Sequence, residues 1–145
     1  MKIPIFFILS LFFSTVFAGN IQVGQTVYGN NGSNLVGTVK AIYGEKAEIL
    51  WRLENGVPHD FDKLFYWPCK LLSESVQCYK DLCNGDEVYA NNGNELVGEV
   101  KNIFSNGIIE IEWTKLNGRD YDFYKVFYWK REQVTKKINS CKTCL

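Results

Sequence analysis

Gly24-Gln-Thr-Val-Tyr-Gly-Asn-Asn-Gly-Ser-Asn-Leu-Val-Gly-Thr-Val-Lys40 decides the fold, because the chain repeats it as Gly85-Asp-Glu-Val-Tyr-Ala-Asn-Asn-Gly-Asn-Glu-Leu-Val-Gly-Glu-Val-Lys101. The likeness continues to Trp67 and its counterpart Trp129. From residue 24 to residue 67, 23 of 44 aligned positions are identical. Counterparts are 61 residues apart before a one-residue insertion that follows residue 43, and 62 apart after it. One module is therefore written twice, and we call residues 19–81 repeat 1 and residues 82–145 repeat 2.

Within each repeat, alternating apolar and polar residues predict short strands. In repeat 1 we expect strands at 25–28, 35–43, 47–52, 59–63 and 65–67, separated by turns at 30–32, 44–45 and 55–56. Residues 68–81 are predicted to form a polar connector. We also expect a short helical turn at residues 74–80 or, in repeat 2, at residues 131–138. Ala47, Ile49 and Trp51 share one strand face. The pattern predicts an all-β protein.

The repeated motif also suggests a family. Gly37 and Gly98 interrupt their strands, as glycines do at bends or close backbone approaches. The series Gly-x-x-Val-Tyr, Leu-Val-Gly-x-Val-Lys-x-Ile and Ile-x-Trp resembles the SH3-type barrels of the Tudor, Agenet and chromo-like group. The resemblance runs from Gly24 to Trp67 and from Gly85 to Trp129. It implies two tandem five-stranded SH3-like barrels.

The first 18 residues resemble a secretory signal peptide. A positive Met1-Lys2 start leads into a short apolar stretch, and Val16-Phe-Ala18 matches a cleavage site. We predict cleavage after Ala18 and a secreted or periplasmic protein; the alternative is an uncleaved membrane anchor. Later stretches are too polar for a membrane span, so none is expected once the peptide is removed.

The cysteine content fits an oxidising compartment. An exported chain with five cysteines is expected to contain disulfides. Two bridges and one free thiol is the simplest count, and the connectivity stays open between local pairs and bridges that join the repeats. Only Cys69 lacks a cysteine near its counterpart position, which is Arg131. The disulfide candidates are Cys69, Cys78, Cys83, Cys141 and Cys144.

The net charge and the lack of catalytic motifs limit the classes of function that the sequence supports. The 16 basic and 16 acidic residues cancel, so attraction to nucleic acid through bulk charge is not expected. The single histidine, His59, has Tyr121 as its counterpart, and no nucleophile, metal-ligand or phosphate-loop pattern is visible. We therefore predict no catalytic residues, no metal and no cofactor.

Aromatic residues are the best binding candidates. Trp51, Trp113, Phe65 and Phe127 are expected in the core. In the extended Phe-Tyr-Trp of each repeat, successive side chains point to opposite faces, so an inward Phe and Trp leave the Tyr outside. Tyr28 and Tyr89 lie near the first turn of each repeat. The tentative ligand-binding residues are Tyr28, Tyr66, Tyr89, Tyr128, Trp67 and Trp129.

These features favour a non-enzymatic binding module that recognises a protein or peptide through two repeated barrels. Two alternatives remain. A small disulfide-held β protein without chemistry of its own also fits an enzyme inhibitor or immunity-type protein. A cell-wall or polysaccharide binder would use the aromatic rings to stack on sugars.

Overall fold

A computed structural model describes residues 20–59, 64–93, 95–122 and 125–138. The predicted all-β class is confirmed: the strands pair antiparallel, and only two single 3₁₀ turns, Cys69–Leu71 and Arg131–Gln133, interrupt them. In these ranges, no helix is long and apolar enough to cross a bilayer. The predicted signal peptide, residues 1–18, lies outside the described residues.

Repeat 1 contains five main strands that follow one another across a sheet. Their spatial order is β5-β3-β2-β1-β6, so the last strand returns to pair with the first. A two-residue strand, β4, extends the far end of β3. The bounds are β1 Thr26–Gly29, β2 Leu35–Tyr43, β3 Lys46–Glu54, β4 Val57–Pro58, β5 Phe65–Pro68 and β6 Leu72–Val76.

Repeat 2 has the same order, β13-β11-β10-β9-β14, with β12 on the end of β11. A small hairpin, β7 with β8, precedes it. The bounds are β7 Cys78–Tyr79, β8 Leu82–Cys83, β9 Glu87–Ala90, β10 Leu96–Phe104, β11 Ile108–Leu116, β12 Arg119–Asp120, β13 Phe127–Lys130 and β14 Val134–Lys136. No closed barrel forms among the described strands of either repeat.

Strand β6 joins the two repeats into one sheet. Its first residues pair with β1, and Ser75 and Val76 pair with Phe104 and Ile103 at the end of β10. The sequence reading of residues 68–81 as a connector with a helical turn was wrong, because Leu72 alternates with polar residues and enters the sheet. The Arg131–Gln133 turn does fall within the predicted 131–138 segment.

Each repeat has its own apolar core, and a third cluster lies between them. As predicted, Ala47, Ile49 and Trp51 are buried in the first core, and their counterparts Ile109, Ile111 and Trp113 are buried in the second. The third cluster combines side chains from both repeats: Tyr28, Val36, Leu53, Phe104, Ile108 and Tyr128. The tandem repeats are therefore packed against each other.

The in-strand glycines mark close approaches, as predicted. Each lies at a break in the β2–β3 or β10–β11 register. A Cβ at Gly37 would lie 2.7 Å from the Leu50 carbonyl oxygen, and one at Gly98 would lie 2.7 Å from that of Glu112. Both strands can therefore bend over the tryptophan that follows on the neighbouring strand.

The remaining turn predictions agree in part with the structure. The Asn55-Gly56 pair has φ values of 50° and 75°, which suits a tight hairpin turn. The fourth strand lies at Val57–Pro58, earlier than predicted, because the hairpin pairs the residues directly after Gly56 with β3. Residues 60–63 lie outside the described part of the chain.

Candidate functional site

Two exposed tyrosine rings lie side by side on repeat 1. Tyr43 ends β2 and Tyr66 is on β5, and the two strands flank β3. Their ring centroids are 6.1 Å apart with an angle of 49° between planes. The side chains are 60% and 63% exposed. Large aromatic side chains exposed together are typical of recognition surfaces.

Strand alternation explains why Tyr66 faces solvent. Phe65 and Trp67 pack against the core of repeat 1, so Tyr66 between them points to the opposite face. Trp67 lies 4.8 Å from Trp51 in an edge-to-face contact, and Trp129 lies 5.0 Å from Trp113 in the same way. The structure therefore gives the two candidate tryptophans packing roles in the cores.

Charged residues on β3 border the two rings. Lys46 pairs with Tyr43 and Glu48 pairs with Tyr66 across the sheet. The Glu48 carboxylate raises the pKa of the Tyr66 phenol, whose hydroxyl is protonated at neutral pH in any case and can donate a hydrogen bond. We call Tyr43, Lys46, Glu48 and Tyr66 the tyrosine face. It combines aromatic surface with one charge of each sign.

The same positions in repeat 2 are occupied by Phe104, Ile108, Glu110 and Tyr128, and there they are covered. The ring of Phe104 lies 5.3 Å from that of Tyr28, and the ring of Tyr128 lies 5.9 Å from it. The expectation that Tyr28 and Tyr128 form an exposed patch was wrong. Repeat 2 covers Tyr28, which is only 5% exposed.

A buried carboxyl group supports this contact. The Tyr128 hydroxyl donates to Glu110 Oε2 at 3.1 Å, and Asn102 Nδ2 donates to Oε1 at 3.0 Å. Burial raises the pKa of Glu110 although both hydrogen bonds oppose the shift. Burial and the Glu110 charge raise the pKa of Tyr128. Glu110 thus links β10, β11 and β13 of repeat 2, and Tyr128 packs against Tyr28 of repeat 1.

Tyr89 is the other candidate that reaches solvent. It is the counterpart of Tyr28 and is 39% exposed on β9, between Val97 of β10 and Thr135 of β14. It lies on the second repeat and so is not part of the tyrosine face. Of the six residues predicted from the sequence, Tyr66 and Tyr89 are exposed, and the structure does not bring them together into one site.

Of the tyrosine face, sequence reasoning predicted Tyr66 and missed Tyr43, Lys46 and Glu48. Tyr43 was placed only as the last residue of a strand, and its counterpart is a phenylalanine. One feature of the sequence could have indicated Tyr43: its counterpart in repeat 2 is Phe104, within a segment that is otherwise similar. A tyrosine in place of a buried phenylalanine adds a hydroxyl group that needs water or a hydrogen-bond partner.

The described cysteines do not form a reactive centre. Cys78 and Cys83 form a disulfide across the β7–β8 hairpin, which settles that pair as local. Cys69 is a half-buried free thiol, and burial raises its pKa, which disfavours the nucleophilic thiolate. Cys141 and Cys144 lie outside the described residues.

Among the residues that the structure describes, no group of three or more His, Cys, Asp or Glu side chains could hold a metal ion. No protein-family model and no curated protein matches the chain.

Proposed function

We propose that this is an exported, non-enzymatic binding protein whose tyrosine face recognises another protein. One observation carries the proposal: the equivalent face of repeat 2 already binds a protein surface, that of repeat 1. There, Phe104, Ile108 and Tyr128 pack in one cluster with Tyr28 and Val36, and Glu110 accepts a hydrogen bond from Tyr128. Repeat 1 presents the equivalent strands, with Tyr43 and Tyr66 at the positions of Phe104 and Tyr128, and nothing described lies over them.

The chemistry of the face supports a protein ligand. Tyrosine offers a large rigid ring and a hydroxyl, and it is enriched at the centres of protein interfaces. The two rings are tilted by 49° and form a ridge. A ridge fits a groove on a protein better than the flat face of a sugar ring. An enzyme inhibitor or immunity-type protein would be one case of this function.

The proposal includes the finer fold and the location. We propose that each repeat is an open SH3-like barrel, supported by five strands whose last member in the chain pairs with the first, while the described strands do not close. Export is supported by the leader-like residues 1–18 and by the Cys78–Cys83 disulfide, which persists in oxidising compartments.

A capture experiment tests the proposal. The protein is expressed with its own leader, recovered as the exported form and immobilised. Exported proteins and purified envelope from its source are then passed over it. The wild type is expected to retain a protein that the double variant Tyr43→Ser, Tyr66→Ser does not retain. Retention of the same protein by that variant would refute the site, and retention of polysaccharide alone would refute the protein ligand.

Val57→Ser is the matched control. Val57 is also exposed and apolar, but it pairs with Glu54 at the opposite end of β3. That end is about 20 Å from Glu48 along the strand. This variant is expected to capture the partner as the wild type does. Thermal unfolding of all variants verifies that the differences do not come from misfolding.

A further inference from the structure

The docking of repeat 2 on repeat 1 uses two different surfaces. Repeat 2 contributes the counterpart of the tyrosine face. Repeat 1 contributes Tyr28, Val36 and Leu53 together with Val76 at the end of β6, and we call these positions the receiving surface. Because the two surfaces differ, the contact is head to tail, and each repeat has the strands to form both.

Repeat 2 carries an unused copy of the receiving surface. The counterparts of Tyr28, Val36, Leu53 and Val76 are Tyr89, Val97, Lys115 and Ile138. Val76 packs against the core of repeat 2, whereas Ile138 is 85% exposed. Ile138 lies two residues after the end of β14 and packs against nothing within the described residues. Its counterpart Val76 is the apolar side chain that the contact between the repeats uses.

Repeat 1 carries the matching unused edge. In repeat 2, Ile103 pairs with β11 on one side, and Ile103 and Phe104 pair with β6 on the other. Their counterparts Ile42 and Tyr43 pair with β3, and no described strand pairs with them on the opposite side. Ile42 and Tyr43 are both exposed. Among the described residues, repeat 2 thus has an uncovered receiving surface and repeat 1 an uncovered tyrosine face.

We propose that a second copy of this chain binds there, with the tyrosine face of one molecule on the Tyr89 surface of the next. The inference rests on the proposed function, since it names the partner of the same face. By analogy with the internal contact, residues 137–138 extend β14 along Ile42 and Tyr43, and Tyr89 packs against Tyr43 and Tyr66. Such a head-to-tail contact generates rings or open chains.

The contact between molecules is weaker than the contact within the chain. Two apolar members of the internal cluster, Leu53 and Ile108, are replaced at the open surfaces by Lys115 and Lys46. Covering a lysine ammonium in the contact costs desolvation free energy that a leucine or isoleucine does not. Less apolar area is also buried. The association is therefore reversible and depends on protein concentration.

Sedimentation velocity of the exported protein over a concentration series tests the inference. The wild type is expected to sediment faster as concentration rises. Two variants each remove one surface: Tyr43→Ser with Tyr66→Ser, and Tyr89→Ser with Ile138→Asp. Each variant alone is expected to associate at least about tenfold more weakly than the wild type, which corresponds to about 1.4 kcal/mol. Val57→Ser is expected to associate as the wild type does.

Mixing the two variants is the decisive step. Each retains the surface that the other lacks, so the mixture is expected to form a one-to-one dimer that does not grow further. A non-reducing gel verifies that no disulfide links the molecules. A mixture that stays monomeric, or a wild type that stays monomeric at every concentration, would overturn the second-copy inference. Loss of a foreign partner by the Tyr43, Tyr66 variant would still support the proposed function.

Discussion

The ring of Phe104 lies 5.3 Å from the ring of Tyr28, and this contact buries the end of β10 against the first strand of repeat 1. Tyr43 occupies the same position at the end of β2 and is exposed to solvent. Two positions that are equivalent in sequence therefore differ in environment. The asymmetry arises because, among the described residues, the end of β10 packs against the other repeat and the end of β2 does not.

The first prediction compares these two positions directly. Phe104→Ala removes a fully buried ring and should lower the free energy of unfolding by about 3–5 kcal/mol. Tyr43→Ala changes an exposed side chain and should stay within about 0.5 kcal/mol of the wild type. Urea unfolding followed by circular dichroism measures both. Equal effects at the two positions would contradict the asymmetric packing.

A second pair of counterparts tests the contact at the β3–β4 turn. A Cβ at Gly56 would overlap the carbonyl oxygen of Val126 in repeat 2, while a Cβ at Gly118 meets nothing within 4 Å. The φ values, +75° and +74°, are the same within a degree. Both alanine variants therefore carry the same left-handed strain of about 1–2 kcal/mol.

Gly56→Ala should lose a further 1–3 kcal/mol, roughly, because the neighbouring repeat must move. The melting temperature of the Gly56→Ala variant is thus expected to fall several degrees below that of Gly118→Ala in a thermal scan. If the two variants melted together, the turn of repeat 1 would not contact repeat 2 as described.

The buried Glu110 predicts a pH dependence of stability. Burial raises its pKa in the folded protein above the ordinary value of 4.5, so the folded state binds the proton more tightly than the unfolded state. Stability from this group is therefore present at low pH and is lost as pH rises from about 4.5 through the higher folded-state pKa. Above that pH, folding must bury the ionised carboxylate.

Glu110→Gln removes this titration and keeps a side chain of the same shape. The free energy of unfolding of the variant, relative to wild type, should increase between about pH 4 and pH 7. Denaturant unfolding of the variant and of the wild type across this pH range measures the difference. A constant difference between Glu110→Gln and wild type would contradict the burial effect.

The Cys78–Cys83 disulfide closes a very short loop, so its contribution to stability should be small. Replacing both cysteines with alanine should lower the free energy of unfolding by about 2 kcal/mol through the entropy of the unfolded chain. The docking of the repeats should survive, because β6 makes its pairs before residue 78. Fluorescence-monitored urea unfolding measures this free energy. Complete loss of the fold would contradict the prediction, because it would show that the disulfide stabilises more of the protein than the β7–β8 hairpin.

Local pattern was sufficient to predict much of this fold. The alternation through Ala47, Ile49 and Trp51 correctly predicted the buried face of β3, because neighbouring side chains of a strand must point to opposite faces. The Asn55-Gly56 pair predicted a hairpin, because both residues tolerate positive φ. The Phe65-Tyr66-Trp67 alternation predicted that Tyr66 would face outward. Each of these predictions depended on residues close in sequence.

The candidate site was predictable only in part. Leu72–Val76 read as a connector because its single strand-like alternation is short and mostly polar, and its role depends on pairing with β1 and β10 at once. Tyr28 was expected outside because it precedes a turn, but Phe104 and Tyr128, distant in sequence, cover it.

The sequence by itself determined that one β module occurs twice, where its two long central strands and several of its turns lie, and which face of β3 is apolar. Only the tertiary structure decided which copy of each repeated residue is covered. Tyr66 and Tyr128 follow the same local pattern. Tyr66 faces water, whereas the Tyr128 hydroxyl donates a hydrogen bond to the buried Glu110. The physical reason is that burial of a surface residue depends on what packs over it, and only the repeat junction supplies that cover.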